Sequence, residues 1–280
     1  MVLNNHFQYT LTISLVVYNT NEEILMPLIN SINQIKIPVK LIVIDNSDRP
    51  NLQLFFEKTD AHYVFNNHNL GYGKAHNKAI EIGKSLAPFH LIVNPDVVIN
   101  LDCVENGINF LKQHLNVGLL MPKVLYPNGQ IQHLCKLLPT PFNLIFRRFI
   151  PKSVSNSFKK SLNEYELLNK DYNKKMFLNN LSGCFMLIPH EVLNKTGKFD
   201  ENFFMYLEDT DLSRRISAVY DAVYLPSISI IHNYEKGSYK NKNLLLYHIK
   251  SAIYYFNKWG WFFDKERIVK NKKVLQQVQD

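Results

Sequence analysis

The chain has little cysteine, no long apolar run and, through its middle, no acid, and each shortage removes a class of protein. Its three cysteines, Cys103, Cys135 and Cys184, form no CxxC pair, so they make neither a disulfide framework nor a zinc site. A reducing cytosol is the expected compartment. No apolar stretch approaches the roughly 20 residues that span a bilayer. The N-terminus offers no basic start leading into an apolar core and a small-residue cleavage site, so no signal peptide is expected. A GxxxxGK[ST] loop is missing too, which argues against a P-loop nucleotide hydrolase. The shortage of acid is the most particular. Between Asn106 and Asn163 there is no Asp or Glu, while Lys112, Lys123, Lys136, Arg147, Arg148, Lys152, Lys159 and Lys160 supply +8, the whole net charge of the chain. Such a segment points to an anionic partner: a membrane surface, a phosphate-bearing ligand or nucleic acid.

The composition that remains is that of a globular protein. Hydrophobic residues make up 46% of the 280 and charged residues 20%. Thr12–Tyr18 and Lys40–Asp45 are short, nearly continuous apolar runs, as expected of parallel strands covered on both faces. Between them, Ile24, Leu25, Leu28, Ile29 and Ile32 share a helical stripe, with Asn19, Thr20 or Asn21 as N-cap. A third strand is expected at His62–Phe65, a helix from about Gly73 to Leu86, and a fourth strand at Phe89–Val93. This alternation predicts a doubly wound α/β sheet. Later strands are expected at Leu119–Leu125, Phe185–Ile188, Ala222–Leu225 and Ile228–Ile231. A helix is expected at Leu244–Lys258, then an aromatic run and a basic tail.

In such sheets ligands bind beyond the carboxyl ends of the strands. Tyr18-Asn19, Asp45-Asn46-Ser47 and Asn94-Pro95-Asp96 fall there. Asp45 suits a ribose or base edge, or an Asx turn; Asp96 suits a hard divalent cation, or a helix cap. Asn69-Leu70-Gly71-Tyr72-Gly73 lets a ligand approach backbone amides at a helix start, although it lacks the third glycine of a dinucleotide fingerprint. Most concentrated of all is Phe203-Phe204-Met205-Tyr206-Leu207-Glu208-Asp209-Thr210-Asp211, followed by Arg214 and Arg215. Three carboxylates in four residues repel one another unless a cation, an Arg or a proton-transfer task accounts for them. The plain alternative is a helix start, its acids on the positive dipole end and Asp211 paired with Arg215.

Taken in order, Val16–Asn19, Ile44–Ser47, Asn69–Gly73, Asn94–Asp96, Leu181–Leu187, Gly197–Phe204 and Glu208–Asp211 resemble the family 2 glycosyltransferases of the rhamnosyltransferase group, over about residues 10 to 235. The resemblance implies a GT-A fold, a nucleotide-sugar donor, a divalent cation (Mg²⁺ or Mn²⁺) and inversion at the anomeric carbon. It also implies that Tyr18, Asn19, Asp45, Gly71, Gly73 and Asn94 bind the donor, and that Asp96 and His232 hold the metal. Asp209 becomes the catalytic base with Glu208 beside it, and Arg214 and Arg215 face the diphosphate or acceptor. Asn94 stands where the family's metal motif has its first acid, so this site carries one charge fewer. The plain alternative for His232 is a core histidine satisfied by its neighbours.

The expected domains are a GT-A catalytic domain over 1–238 and an extension over 239–280. The first has a nucleotide-sugar half at about 10–100 and an acceptor half at 101–238, with a basic excursion at 139–175. The expected activity is transfer of L-rhamnose from dTDP-rhamnose to a lipid-linked (polyprenyl-diphosphate) or glycan acceptor of bacterial surface polysaccharide. The enzyme would sit peripherally on the cytoplasmic face of the plasma membrane. Pro139–Lys160, which interleaves aromatic and basic residues, is its expected contact with anionic lipid, or else an ordinary core helix. A UDP-hexose donor is the near alternative. A nucleotidyltransferase would want a Gly-rich basic loop after the first strand, which Tyr18-Asn19-Thr20-Asn21 does not provide. A non-catalytic anion-binding module leaves the acids unexplained, and nucleic acid is not the expected partner.

Overall fold

The computed structural model describes residues 7–144, 156–233 and 242–277. Arg147, Arg148 and Lys152 of the basic segment lie outside the described residues, as does the side chain of Lys159; Lys160 is exposed. Strands β1 (Leu11–Val17), β2 (Val39–Asp45), β3 (His62–Phe65) and β4 (Phe89–Val93) alternate with helices α1 (Glu22–Ile32), α2 (Gln53–Phe56) and α3 (Tyr72–Gly83). Asn21 caps α1, its side chain accepting from the Ile24 amide at 3.1 Å. All pairings among these four strands are parallel, in the order β3-β2-β1-β4.

The second half is mixed. It comprises β5 (Val97–Ile99), α4 (Cys103–Gln113), β6 (Val117–Leu125), α5 (Pro141–Leu144), α6 (Asn156–Tyr165), β7 (Met176–Leu178), β8 (Phe185–Pro189), α7 (His190–Thr196), α8 (Glu208–Ile216) and β9 (Asp221–His232). β8 runs antiparallel between β4 and β6; β9 pairs parallel with β6 and, on its other edge, takes β7 and β5. The two strands expected at 222–225 and 228–231 are therefore one. Its ladder with β6 merely shifts register between Pro122 and Lys123, opposite the Leu225–Ser229 stretch that contains Pro226, which cannot donate to a ladder. Beyond β9, α9 (Lys242–Trp259) covers the helix expected at Leu244–Lys258, and a second helix, α10 (Lys265–Gln276), takes up most of the basic tail.

Alternation along the central strands gives the sheet two unlike faces. Leu11, Ile13, Leu15 and Val17 of β1 and Phe89, Leu91 and Val93 of β4 enter an aliphatic core with α1 and α4. The other face presents Thr12, Ser14 and His90 toward α3 and α7. There the Thr12 hydroxyl lies 2.7 Å from His90 Nδ1 and 3.2 Å from His190 Nε2, and the Ser14 hydroxyl lies 2.7 Å from His76 Nδ1. The remaining nitrogens of all three rings are buried without a hydrogen-bond partner. Burial thus holds the rings neutral: His76 is lowered to about 3, His190 to about 4, and His90 well below its usual value.

Below pH 6.5 the unfolded chain takes up protons that the folded chain refuses, so the stability these rings contribute is full above that value and lost as the pH falls. Each should cost about 1.4 kcal/mol per pH unit. Urea midpoints are accordingly expected to be level above pH 7 and to drop steeply between pH 6 and 5. A level profile across that window would show that the native rings accept protons.

Candidate active site

A cavity of about 580 Å³ opens where β1, β2 and β4 end. Its walls are Val16 near the end of β1, Tyr18, Asn19 and Thr20 after it, Asn46 after β2, Asn69, Gly71 and Tyr72 at the start of α3, and Asn94-Pro95-Asp96 after β4. The far side is Ser182-Gly183-Cys184 before β8, Met205, Tyr206, Glu208 and Asp209 around the start of α8, and Asn233 after β9.

The backbone is bent hard at two of these walls. Asn19 has φ 49°, and Tyr206 and Leu207 have φ 73° and 68°, a left-handed pair of large side chains directly before Glu208. Such residues cost of order 1–3 kcal/mol each and persist only where the surroundings over-determine them. Here they are held from three sides. The Phe204 carbonyl accepts from the Tyr72 amide at 2.9 Å, the Met205 carbonyl accepts from the Ser251 hydroxyl at 2.7 Å, and the Tyr206 ring meets His248 edge-on. Gly71, at φ 83°, has no room for a Cβ, which would lie 2.3 Å from the Phe204 carbonyl oxygen.

Asp209 is fixed by its backbone neighbours. Oδ2 accepts from the Gly183 amide at 2.9 Å and Oδ1 from the Thr210 amide at 2.7 Å. Glu208, beside it, is 5% exposed, and its Oε2 has no hydrogen-bond partner. Burial, and then the charge of Asp209, push the Glu208 carboxyl well above its usual range. Burial and the neighbouring Asp209 thus favour the protonated form of Glu208, in which it can donate a hydrogen bond. Tyr72 spans the floor, its hydroxyl donating to the Gly183 carbonyl at 2.7 Å and lying 3.1 Å from the Asn94 amide oxygen.

At the end of β9, His232 Nε2 faces Asp96 Oδ1 at 3.3 Å. Gln132 sets the tautomer of this ring. Its amide nitrogen donates to the His232 carbonyl at 2.6 Å, which leaves its oxygen to accept from Nδ1–H at 3.1 Å. In the neutral ring, Nε2 then turns a lone pair toward a carboxylate oxygen, an arrangement that calls for a proton or a cation between them. An imidazole and a carboxylate with the Asn94 amide nearby fit Mg²⁺ or Mn²⁺ as a donor set. Among the described residues no group of three or more His, Cys, Asp or Glu converges on one point, so a bound cation would need further ligands from elsewhere.

Several residues expected at the site lie elsewhere. Asp45 is 1% exposed and turned inward, Oδ2 accepting from the Tyr63 hydroxyl at 2.5 Å and Oδ1 from the Ser47 amide at 2.8 Å; Asn46, not Asp45, faces the cavity. Gly73 is a packing glycine, where a Cβ would come within 2.9 Å of Phe199 Cβ. Neither Arg214 nor Arg215 lines the cavity. Arg214 is buried and makes a two-pronged pair with Asp264 at 2.7 and 2.8 Å, a further bond to Glu266 at 2.9 Å, and a stack on Trp259. Arg215 pairs with Asp211 at 2.8 Å and donates to the carbonyls of Thr196, Gly197 and Lys198. Tyr72, Gly183 and Gln132 were given no role from sequence; the first two lie inside motifs, whereas Gln132 has no local signal.

A sheet whose parallel half ends in a polar cleft, closed by an antiparallel half that brings an acidic helix start, defines a GT-A type fold. One solved structure of this class, GalNAc-T7 with UDP, GalNAc and Mn²⁺, is similar to this chain with a TM-score of 0.61 and 14% identity, over 81% of this chain and 44% of its own. The chain belongs to Glycosyl transferase family 2, whose profile matches residues 12–203. That span stops before Glu208 and Asp209. Among curated proteins, the chain is 26% identical over 212 residues to the low-salt glycan biosynthesis hexosyltransferase Agl10 of Haloferax volcanii (73% of this chain, 61% of that one). It is 24% identical over 211 residues to the N-acetylglucosaminyl-diphospho-decaprenol L-rhamnosyltransferase of Mycobacterium tuberculosis (69% and 66%). The matches thus span a little under two thirds of the length of these two relatives.

Proposed function

We propose that this protein is an inverting glycosyltransferase that moves a deoxyhexose, L-rhamnose from dTDP-L-rhamnose, onto a lipid-linked or glycan acceptor, with a divalent cation as cofactor. One observation carries the reading: Asp209 stands at the cavity wall with both oxygens fixed by backbone amides. In the reaction the acceptor hydroxyl oxygen bonds to the anomeric carbon as the bond to the nucleoside diphosphate breaks on the opposite face. The electron pair leaves with the diphosphate and the proton passes to Asp209. Tyr18, Asn19 and Asn46 are the side chains for the nucleoside, and Glu208 donates a hydrogen bond within the cleft. Asp96 and His232, with Asn94, would hold Mg²⁺ or Mn²⁺, which supplies positive charge to the departing diphosphate.

A polyprenyl-diphosphate acceptor is supported by the name of the mycobacterial relative, and it would place the enzyme on the cytoplasmic face of the membrane. Among the described residues no helix is long and apolar enough to cross a membrane, so attachment would be peripheral.

A donor screen scored by nucleotide release, with and without chelator, tests the reading. dTDP-rhamnose is expected to outcompete UDP-glucose and UDP-N-acetylglucosamine; faster turnover of a UDP-sugar would keep the transferase and discard the rhamnose. EDTA is expected to suppress release and Mg²⁺ or Mn²⁺ to restore it, with His232→Ala weakening the restoration. Full activity in chelator would leave Asp96 and His232 as an internal pair.

A further inference from the structure

The turn between α9 and α10 carries an apolar feature that the cleft does not use. Phe262 and Phe263 are 71% and 97% exposed, and Ile268 and Val269 just beyond are 59% and 66% exposed. Lys265, Lys272 and Lys273 of α10 are exposed as well. The turn that holds these rings in water is firmly built. Asp264 caps α10 by accepting from the Arg267 amide at 2.9 Å while it grips buried Arg214 of α8. Arg267 in turn donates to the Gly260 and Trp261 carbonyls at 3.3 and 3.0 Å. Two exposed phenylalanines in a hydrogen-bonded turn, followed by a helix with exposed Ile268, Val269 and lysines, fit a partner that is apolar below a negatively charged surface.

We propose that this turn is a membrane-docking element, the two rings entering the headgroup region of an anionic bilayer with the three lysines at the lipid phosphates. A second copy of the chain is a poorer occupant, because a two-fold contact would set the same lysines against one another. Helix α9, which leads into this turn, is also tied to the cleft. Its far end carries Tyr247 against Phe204 and His248 against Tyr206, and Trp259 donates to Asp211, two residues from Asp209. Docking at the turn therefore orients the cleft relative to the lipid surface. This purpose rests on the lipid-linked acceptor proposed above; the binding itself does not.

The test is co-sedimentation of the full chain with vesicles of phosphatidylcholine, with and without phosphatidylglycerol, at low and high salt. Wild type is expected to bind the anionic vesicles and to lose binding as salt rises. Phe262→Ser with Phe263→Ser should lower partitioning about tenfold or more. Lys265→Gln, Lys272→Gln and Lys273→Gln together should remove the preference for phosphatidylglycerol. Both variants should keep the wild-type melting temperature and nucleotide release with a short soluble acceptor. Equal sedimentation of the phenylalanine variant and wild type overturns the proposal, as does a wild-type dimer in light scattering that this variant dissociates. Vesicle binding with no transfer to any soluble acceptor upholds the docking surface and sinks the proposed function instead.

Discussion

Asp209→Asn is expected to cut transfer by about 10²- to 10⁴-fold while leaving nucleotide affinity near wild type. The amide keeps the shape of the carboxylate and can still accept from one of the Gly183 and Thr210 amides, but it cannot take a proton from the acceptor hydroxyl. Single-turnover rates together with calorimetric titration of the nucleotide separate the two effects. Turnover above one tenth of wild type would remove Asp209 from the role of base. Glu208→Gln is the matched control. Because burial and the Asp209 charge favour the protonated carboxyl, glutamine keeps its shape and its ability to donate, and the loss should stay within about tenfold. A pair of equal losses would mean that the two neighbouring carboxyls act as one unit.

Arg214→Ala should act on folding rather than on chemistry. The substitution strands the carboxylate of Asp264, which is buried, and a bond to Glu266. Burial pushes the Asp264 carboxyl up, but its bonds to Arg214 outweigh this and hold it below its usual value. Removing one partner of such a buried pair costs about 3–5 kcal/mol. In a chain of this size that corresponds to a fall in melting temperature of roughly 10 °C. Thermal melting measured alongside nucleotide affinity decides the matter. A variant that melts like wild type yet binds nucleotide poorly would return Arg214 to the diphosphate.

That reassignment shows where sequence reading reaches and where it stops. The strand ends were legible because β-branched runs stop abruptly at Asn19, Asp45 and Asn94, and parallel strands bring such ends to one edge. The helix start at Glu208 was legible as a cluster of acid. Arg214 and Arg215 misled because closeness in sequence is not closeness on a helix. At about 100° per residue, the fifth and sixth positions after Asp209 point roughly 140° and 240° away from it. Of their true partners, Asp211 was legible four residues before Arg215, whereas Asp264 and the carbonyls of Thr196 to Lys198 leave no local mark. Asp45 misled for a similar reason: Tyr63, on the adjacent strand, closes it off, and only the register of β2 with β3 reveals this. The pairing of Gln132 with His232 spans 100 residues and had no signal at all.

The insertion of β8 beside β4 has a consequence for synthesis. As the chain leaves the ribosome, β1 to β4 can assemble from neighbours, but the outer edge of β4 waits for a strand that arrives roughly ninety residues later. Until then Phe89–Val93, whose residues are all buried in the finished protein, offers an open row of backbone donors and acceptors beside apolar side chains, the kind of edge that pairs with another chain. Fragments ending before Phe185 should therefore collect in inclusion bodies, however complete their nucleotide-binding strands, and the shortest soluble piece should be one that carries β8 through β9.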